Sequence, residues 1–217
     1  MALAGRYDAA GVEAEFEPGS RQRVLRNLLG IRSVREMQKA ESRALYLATQ
    51  ALIDETLLNQ RFVAVDLSRI HRLWLGDIYP WAGEYRSVNI AKGGFMFAAA
   101  DQVSRLMGQL EDGPLRELTP CHADTTEAQA RALGIVHAEL VLIHPFRDGN
   151  GRCARVLSTL MGLQAGLPPL DFSAMDGRGK RRYIEAIHAA LGRDYAPITK
   201  VFSAVIARTL RAPGTSA

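Results

Sequence analysis

Apolar residues recur at helical spacing along most of the chain. The longest run follows Ser33, which forms a Ser-x-x-Glu capping box with Glu36, and it predicts an amphipathic helix that ends near Leu58. Shorter runs predict a helix from Val65 to Trp74, a short one after it, and two that close the chain. The apolar face of the long helix comprises Met37, Ala40, Ala44, Leu47 and Leu52, and that of the short helix comprises Val103, Leu106, Met107 and Leu110. The apolar faces of the two closing helices comprise Tyr183, Ile187 and Leu191, and Ile198, Val201, Phe202 and Ile206.

The segment from Ala130 to Ile143 is apolar on nearly every side, which predicts a helix buried at the centre of a domain. Thr125 or Thr126 is expected to cap it. A second core helix is marked by Val156, Leu157, Leu160, Met161 and Leu163. The loop 144–152 therefore joins two core helices and opens at the N-terminus of the second, where unpaired backbone N–H groups favour anions.

Two other segments are predicted from local patterns. Apolar residues from Val24 to Leu29 indicate a short helix ended by Gly30, and 111–126 is read as a polar loop. Residues 87–91 and 95–97 combine β-forming composition with a Gly-Gly turn, which predicts one hairpin. The expected fold class is therefore all-α with a small β-hairpin.

The chain shows no internal repeat and no linker, so we expect a single domain over residues 1–217. Within it, 1–60 would form N-terminal helices, 61–205 the catalytic core and 211–217 a frayed tail. Hydrophobic residues make up 47% of the chain, which excludes a disordered protein.

The net charge of +4 is mildly basic. The cations from Arg178 to Arg182 fit a solvated helix face better than a nucleic-acid site, so we do not expect direct nucleic-acid binding.

Cys121 and Cys153 offer no disulfide framework, which favours a reducing cytoplasm, and Cys153 is expected to pack rather than react. The N-terminus lacks an apolar signal core and no run has membrane-spanning length; delivery by a secretion system that needs no such signal stays open.

The chemistry is concentrated in the loop 144–152 and the arginine one turn beyond it. Gly149 and Gly151 allow backbone N–H groups to converge on an anion, and Asn150 adds an amide donor. Arg152 and Arg155 supply guanidinium groups that match phosphate oxygens.

Two residues of the loop favour a reaction over simple binding. Asp148 would repel phosphate unless it holds Mg²⁺ that bridges the oxygens. His144 ends the buried helix, where an imidazole can accept a proton near neutral pH. The residues alone thus predict a base that faces a nucleoside triphosphate and its metal ion.

This run resembles the signature of the Fic domain, His-Pro-Phe-x-Asp/Glu-Gly-Asn-Gly-Arg-x-x-Arg, and matches every specified position from His144 to Arg155. The resemblance implies transfer of AMP from ATP to a Ser, Thr or Tyr hydroxyl of a target protein. It implies that His144 is the general base and Asp148 the Mg²⁺ ligand. Phosphates would be bound by Gly149, Asn150, Gly151, Arg152 and Arg155.

The resemblance also implies that the hairpin is a flap that holds the target peptide by strand pairing. The flap residues are Ile90, Ala91, Lys92, Gly93 and Gly94. The segment 76–86 is similar to the family segment that precedes this flap. Structural roles are expected for the other aromatic and imidazole side chains His71, Trp74, Tyr79, Trp81, His137 and Tyr183.

Many Fic proteins carry an inhibitory helix with the pattern Ser/Thr-x-x-x-Glu-Gly/Asn, whose glutamate pairs with the second motif arginine. No Ser or Thr of this chain is followed four places later by Glu. A toxin restrained by a separate small helical antitoxin, which places a glutamate by Arg155, is therefore our hypothesis.

Two alternatives remain. The Doc branch of the family has Lys at the position of Gly151 and transfers phosphate, so Gly151 favours AMP transfer. The third reading is a nucleotide-binding regulator that performs no transfer.

Overall fold

The computed structural model describes residues 8–9 and 15–211, so the remaining N-terminal residues and the tail at 212–217 lie outside the described residues. Its helices are α1 (Val34–Glu55), α2 (Ala64–Leu75), α3 (Val103–Leu110), α4 (Arg116–Leu118), α5 (Thr126–Ile143), α6 (Asn150–Gln164), α7 (Lys180–Ala190) and α8 (Ala196–Arg211). The strands are β1 (Asp8–Ala9), β2 (Ile90–Lys92) and β3 (Phe95–Met96). This confirms the predicted class, a mainly helical fold with a small hairpin.

The described residues divide into two compact units. The first draws on Met1–Glu55, Ala64–Gly108 and Ile143–Cys153; the second draws on Thr56–Val63, Gln109–Leu142 and Ala154–Ala217. A single domain over 1–217 stays a prediction. Among the described residues, no helix has both the length and the hydropathy needed to span a bilayer.

The core of the first unit forms between α1 and α2. Its buried members are Val24, Met37, Ala48, Trp74, Leu75, Ile78, Tyr79 and Ala82. The predicted cap is present at the start of α1, where the Glu36 backbone N–H donates to Ser33 Oγ at 3.4 Å. The long amphipathic helix therefore forms, although it ends at Glu55 rather than near Leu58, and Leu47 of its predicted apolar face is exposed.

The predicted helix from Val24 to Leu29 is wrong. The Asn27 side chain accepts hydrogen bonds from the backbone N–H groups of Leu29 and Ile31, and it donates to the carbonyls of Leu25 and Ile31. An asparagine that supplies local hydrogen bonds in this way competes with helix formation. The segment is an irregular loop with one isolated antiparallel bridge, between Phe16 and Leu25.

The sheet has the strand order β1-β2-β3, and both pairings are antiparallel. Gly93 and Gly94 form the turn between β2 and β3 with φ angles of +58° and +80°. Positive φ at both positions suits the turn type that joins twisted strands through two residues. Val88, Ile90 and Phe97 pack together beneath the hairpin.

The second unit contains most of α5 and α6 together with α7 and α8. Thr125 caps α5, because its Oγ1 accepts from the Ala128 backbone N–H at 3.2 Å. Gly134 allows α5 to approach Ile198 of α8, where an added Cβ would meet backbone and side chain at 3.4 Å.

The predicted polar loop at 111–126 is partly wrong. Residues Glu111–Leu115 form a π-helical turn, and α4 follows directly. Pro114 has no N–H to give to an α-helical hydrogen bond, and the wider turn accommodates it. The Arg116 N–H reaches back to the carbonyl of Glu111.

Candidate active site

The loop 144–152 lies wholly within the first unit, after the end of α5 and across the start of α6. His144 is buried and has a φ of +54°, an uncommon conformation for a residue other than glycine. Its ring stacks on Phe97, with ring centroids 3.6 Å apart and planes 21° apart. The end of the hairpin thus packs directly against the predicted base.

Arg86 ties the backbone of His144 to the base of the hairpin. Its Nε donates to the His144 carbonyl at 2.7 Å, and its terminal nitrogens donate to the carbonyls of Ile143, Val88 and Ala98. The Arg86 backbone N–H also donates to Pro145. The guanidinium is buried, so the fixed geometry of its five donors holds both segments together. Sequence reasoning assigned Arg86 no role.

The interior of the loop is held by Phe146 and Asn150. Phe146 is fully buried, and its ring stacks on His71 with centroids 4.0 Å apart. The Asn150 side chain accepts from the Phe146 N–H and donates to the Phe146 carbonyl, both at 2.8 Å. The amide expected to face phosphate is therefore engaged inside the loop. What Asn150 offers an anion is its backbone at the start of α6.

His71 connects the loop to the segment 76–86. The Gly83 backbone N–H donates to His71 Nδ1 at 2.8 Å, so the proton resides on Nε2, which lies 3.0 Å from the Asp148 carbonyl. Burial lowers the pKa of His71 to about 4. The neutral ring is a donor to the loop, and the expected structural role of His71 is confirmed.

The two loop glycines meet different surroundings. Gly149 has a φ of +83°, and a Cβ there would lie 2.6 Å from the Trp74 ring. Gly151 has no atom within 4 Å of an added Cβ. Gly149 is therefore required by the packing of the loop on α2, whereas Gly151 leaves open space at the first turn of α6.

Asp148 and Arg152 lie close together on the loop. Asp148 Oδ1 accepts from the Gly149 backbone N–H and lies 3.7 Å from Arg152 Nη2. Among the described residues, no group of three His, Cys, Asp or Glu side chains could hold a metal ion. A Mg²⁺ ion here would have Asp148 as its protein ligand and would need phosphate oxygens and water for the rest, which is common for this ion.

Arg152 has partners outside the loop that sequence reasoning missed. Its Nη1 donates to Glu41 Oε2 at 2.6 Å, and its guanidinium carbon lies 4.3 Å from the centre of the Trp74 ring. Glu41 sits in the middle of α1, 111 positions before Arg152. A polar residue on the otherwise apolar face of α1 was the signal available in the sequence.

Arg155 belongs to the second unit, on the part of α6 that lies there. Its Nη2 is 3.1 Å from Asp176 Oδ1, and its guanidinium carbon lies 5.7 Å from the Phe172 ring centre. In the same unit, His137 is fully buried between Ser158 and Tyr183, with contacts of 3.2 and 2.9 Å. This confirms His137 as a core histidine.

Both cysteines are free and buried. Burial raises the pKa of the Cys153 thiol to about 12, and its Sγ lies 3.7 Å from the Leu67 carbonyl. Cys153 is therefore a packing residue of α6, as expected.

The flap residues vary in exposure along the hairpin. Ile90 is buried, Ala91 is half-buried, and Lys92, Gly93 and Gly94 are exposed. β2 pairs with β3 on one side and with β1 on the other, through Asp8 with Ala91 and Ala9 with Ile90. Both edges of β2 are thus occupied by this chain.

Residues 62–161 match the model of the Fic/DOC family. The matched region contains α2, the hairpin, the loop 144–152 and most of α6. The sequence-derived motif and the family match therefore cover the same part of the molecule.

Relatives and solved structures agree with this match. The protein adenylyltransferase VbhT of Bartonella schoenbuchensis is 34% identical over 143 residues, which cover 66% of this chain and 30% of that protein. A probable protein adenylyltransferase, y4lH of Sinorhizobium fredii, is 30% identical over 129 residues, which cover 59% of this chain and 65% of that protein. The chain thus matches between about a third and two thirds of the length of these relatives.

Among solved structures, BepC of Bartonella tribocorum, a VirB-translocated effector crystallised with AMPPNP, superposes with a TM-score of 0.68. The sequences are 25% identical, and the alignment covers 83% of this chain and 91% of that one. The helical fold with a small hairpin is therefore shared with a protein that binds an ATP analogue.

Proposed function

Because the chain belongs to the Fic/DOC family, we propose that it is a protein adenylyltransferase, which moves AMP from ATP to a Ser, Thr or Tyr hydroxyl of a target protein. The observation that carries the proposal is the position of His144, held by Arg86 and by Phe97 at the base of the hairpin. A base fixed beside a strand-forming flap suits a reaction whose second substrate is a protein. The relatives named as adenylyltransferases support the same activity.

In the proposed reaction, His144 accepts the proton of the target hydroxyl. The hydroxyl oxygen then bonds to the α-phosphorus of ATP. The bond between the α-phosphorus and the oxygen that bridges it to the β-phosphate breaks, and pyrophosphate leaves. Backbone N–H groups at the start of α6, with Arg152, bind the phosphates. When bound at Asp148, Mg²⁺ would neutralise charge on the phosphate oxygens.

Arg155 is proposed as a further phosphate ligand. In this chain its guanidinium already has a carboxylate partner, Asp176, whose side chain is 61% exposed. Such an exposed ion pair is weak and can exchange for phosphate. For the same reason, a glutamate from a separate antitoxin could replace Asp176 at Arg155, and we retain this as the proposed restraint on a toxin.

Two further parts of the proposal concern the flap and the compartment. The target would pair with the hairpin from Ile90 to Gly94, and the pairing of β1 with β2 means that it either displaces β1 or extends the sheet at an outer edge. A reducing cytoplasm is proposed because both cysteines are free.

Phosphate transfer of the Doc type is the second candidate. It would require a lysine at Gly151, where an added Cβ would meet no atom within 4 Å. Packing of the loop therefore does not require glycine at this position, and the absence of a lysine there favours AMP transfer. A regulator without catalysis would not need the buried connection between Arg86 and His144.

The decisive experiment is mass spectrometry of a cell lysate incubated with the purified chain, ATP and Mg²⁺. His144→Ala is the test variant, and His122→Ala, which changes an exposed histidine, is the control. We expect a target with an added AMP that appears with wild type and the control but not with His144→Ala. An added phosphate would establish the second candidate. Nucleotide binding without any adduct would favour the regulator.

A further inference from the structure

Glu41 is a buried acid that lies outside the motif but contacts it. Only 6% of the residue is exposed, although it sits on the long helix α1, whose polar residues mostly face solvent. Burying a carboxylate is costly unless hydrogen bonds and an opposite charge compensate for the lost water. The burial of the Glu41 carboxylate therefore needs an explanation beyond the packing of α1 on α2.

Both carboxylate oxygens of Glu41 are occupied. The Tyr79 hydroxyl donates to Oε1 at 2.8 Å, and Arg152 Nη1 donates to Oε2 at 2.6 Å. Burial and the neighbouring Glu41 raise the pKa of Tyr79, so its hydroxyl keeps its proton and remains a donor. Tyr79 thereby orients the carboxylate that Arg152 contacts.

A second contact holds the guanidinium of Arg152 from its face. The Glu41 backbone carbonyl accepts from Trp74 Nε1 at 2.9 Å, and Arg152 lies 4.3 Å above that ring. The Glu41 carboxylate therefore contacts the edge of the guanidinium, and Trp74, which donates to the Glu41 backbone, contacts its face. A guanidinium restrained at both edge and face has lost most of its rotational freedom before any ligand arrives.

In this orientation the second terminal nitrogen of Arg152 faces the motif loop. Arg152 Nη2 is buried, has no hydrogen-bond partner among the described residues, and lies 3.7 Å from Asp148 Oδ1. This nitrogen is therefore directed to the side of the loop where Asp148 would hold Mg²⁺ and its phosphates. A buried donor without a partner gains a full hydrogen bond when an anion binds.

We propose that Glu41 is a positioning residue that orients Arg152 for the nucleotide phosphates, with Tyr79 and Trp74 as its supports. The proposal rests on the proposed function, in which Arg152 binds phosphate. The opposite role, in which Glu41 competes with phosphate for Arg152, fits the geometry less well because Glu41 contacts Nη1, whereas Nη2 has no hydrogen-bond partner among the described residues.

The test compares wild type, Glu41→Gln, Glu41→Ala, Arg152→Ala and the Glu41→Ala/Arg152→Ala double variant. Calorimetry with AMPPNP and Mg²⁺ measures nucleotide affinity. Glu41→Ala should weaken binding about 10-fold, Glu41→Gln should weaken it less because its amide oxygen still accepts from Arg152, and the double variant should bind no worse than Arg152→Ala. Glu36→Ala, an exposed acid on the same helix, is the control and should bind as wild type does.

Equal binding by Glu41→Ala would overturn the proposal, and tighter binding would overturn it in favour of competition. Independent effects that multiply in the double variant would overturn it as well, because they would show that Glu41 does not act through Arg152. If Glu41→Ala fails to fold, the comparison is made with Glu41→Gln and Tyr79→Phe, each of which should weaken binding measurably; wild-type affinity in both would overturn it.

A measurement made in the absence of nucleotide distinguishes failure of this inference from failure of the proposed function. NMR of the guanidinium N–H groups should show restrained rotation of Arg152 in wild type and faster rotation in Glu41→Ala. If wild type binds no AMPPNP but this difference is present, the proposed function fails, whereas the orientation of Arg152 by Glu41 stands. If Arg152 rotates equally in both proteins, the positioning role fails.

Discussion

Arg86 Nε donates a 2.7 Å hydrogen bond to the backbone carbonyl of His144. The relationship matters because His144 has a positive φ, which costs a residue other than glycine about 1 kcal/mol or more and persists only when neighbours enforce it. The same guanidinium donates to Val88 and Ala98, which flank the hairpin. The conformation of the proposed base and the position of the flap therefore depend on one side chain.

We expect Arg86→Lys to lower the rate of AMP transfer by about 100-fold while nucleotide affinity changes little. A lysine ammonium is a compact donor that cannot reach four carbonyls at once, so His144 and the hairpin lose their common support. Single-turnover transfer and calorimetry with AMPPNP measure the two quantities. Arg105→Lys, which changes an exposed arginine of α3, serves as the control. A transfer rate close to that of wild type would show that Arg86 has only a packing role.

Most of the helices could be predicted because their signals are local. The apolar faces of α1, α2, α3, α7 and α8 recur every three or four residues, and the capping box at Ser33 marks a helix start. The hairpin was likewise predictable from two glycines at its turn. The segment from Val24 to Leu29 was mispredicted because its apolar residues fit a helix, whereas the four hydrogen bonds of the Asn27 side chain favour the irregular form.

Candidate site residues could be named from the sequence only where they are contiguous. The motif from His144 to Arg152 is one segment, so its members could be named together. Glu41, His71 and Arg86 act through partners that lie 111, 77 and 58 positions away in the sequence. Glu41 interrupts the apolar face of α1, but no local pattern identifies the distant partners of these three residues, and their roles depend on tertiary contacts.

Gly149→Ala should destabilise the fold by roughly 2–4 kcal/mol. The new Cβ would lie 2.6 Å from the Trp74 ring, and the φ of +83° strains any side chain. Gly151→Ala is a matched control two positions away, since its Cβ meets nothing within 4 Å and alanine favours helices. Urea unfolding of both variants measures the difference. Equal free energies of unfolding would contradict this account of the loop.

Release of β1 should help a target to bind if the target pairs with β2. Asp8→Pro/Ala9→Pro removes two backbone donors from β1 and disfavours its pairing with Ala91 and Ile90. We expect the KM for a target peptide to fall by about 2- to 5-fold with kcat unchanged, because an internal competitor is lost. An unchanged KM would place the target at another edge of the sheet, and a higher KM would make β1 part of the binding surface.

Acid should destabilise the second unit through His137. Burial lowers the pKa of His137 from 6.5 to about 3, so the folded protein keeps this ring neutral while the unfolded chain binds a proton below about pH 6.5. The contribution to stability is therefore complete above about pH 6.5 and is lost as the pH falls towards 3, by roughly 1.4 kcal/mol for each pH unit.

The measurement is the free energy of unfolding in urea between about pH 7 and pH 4.5, for wild type and for His137→Gln. The amide cannot titrate, although it can still exchange hydrogen bonds with Ser158 and Tyr183. His137→Gln should be less stable at pH 7, and the two curves should converge on acidification because only wild type loses this contribution. His122→Gln removes an exposed histidine and should keep the wild-type slope. Parallel curves for wild type and His137→Gln would mean that His137 has the same pKa in the folded and the unfolded protein, and that burial does not control its charge.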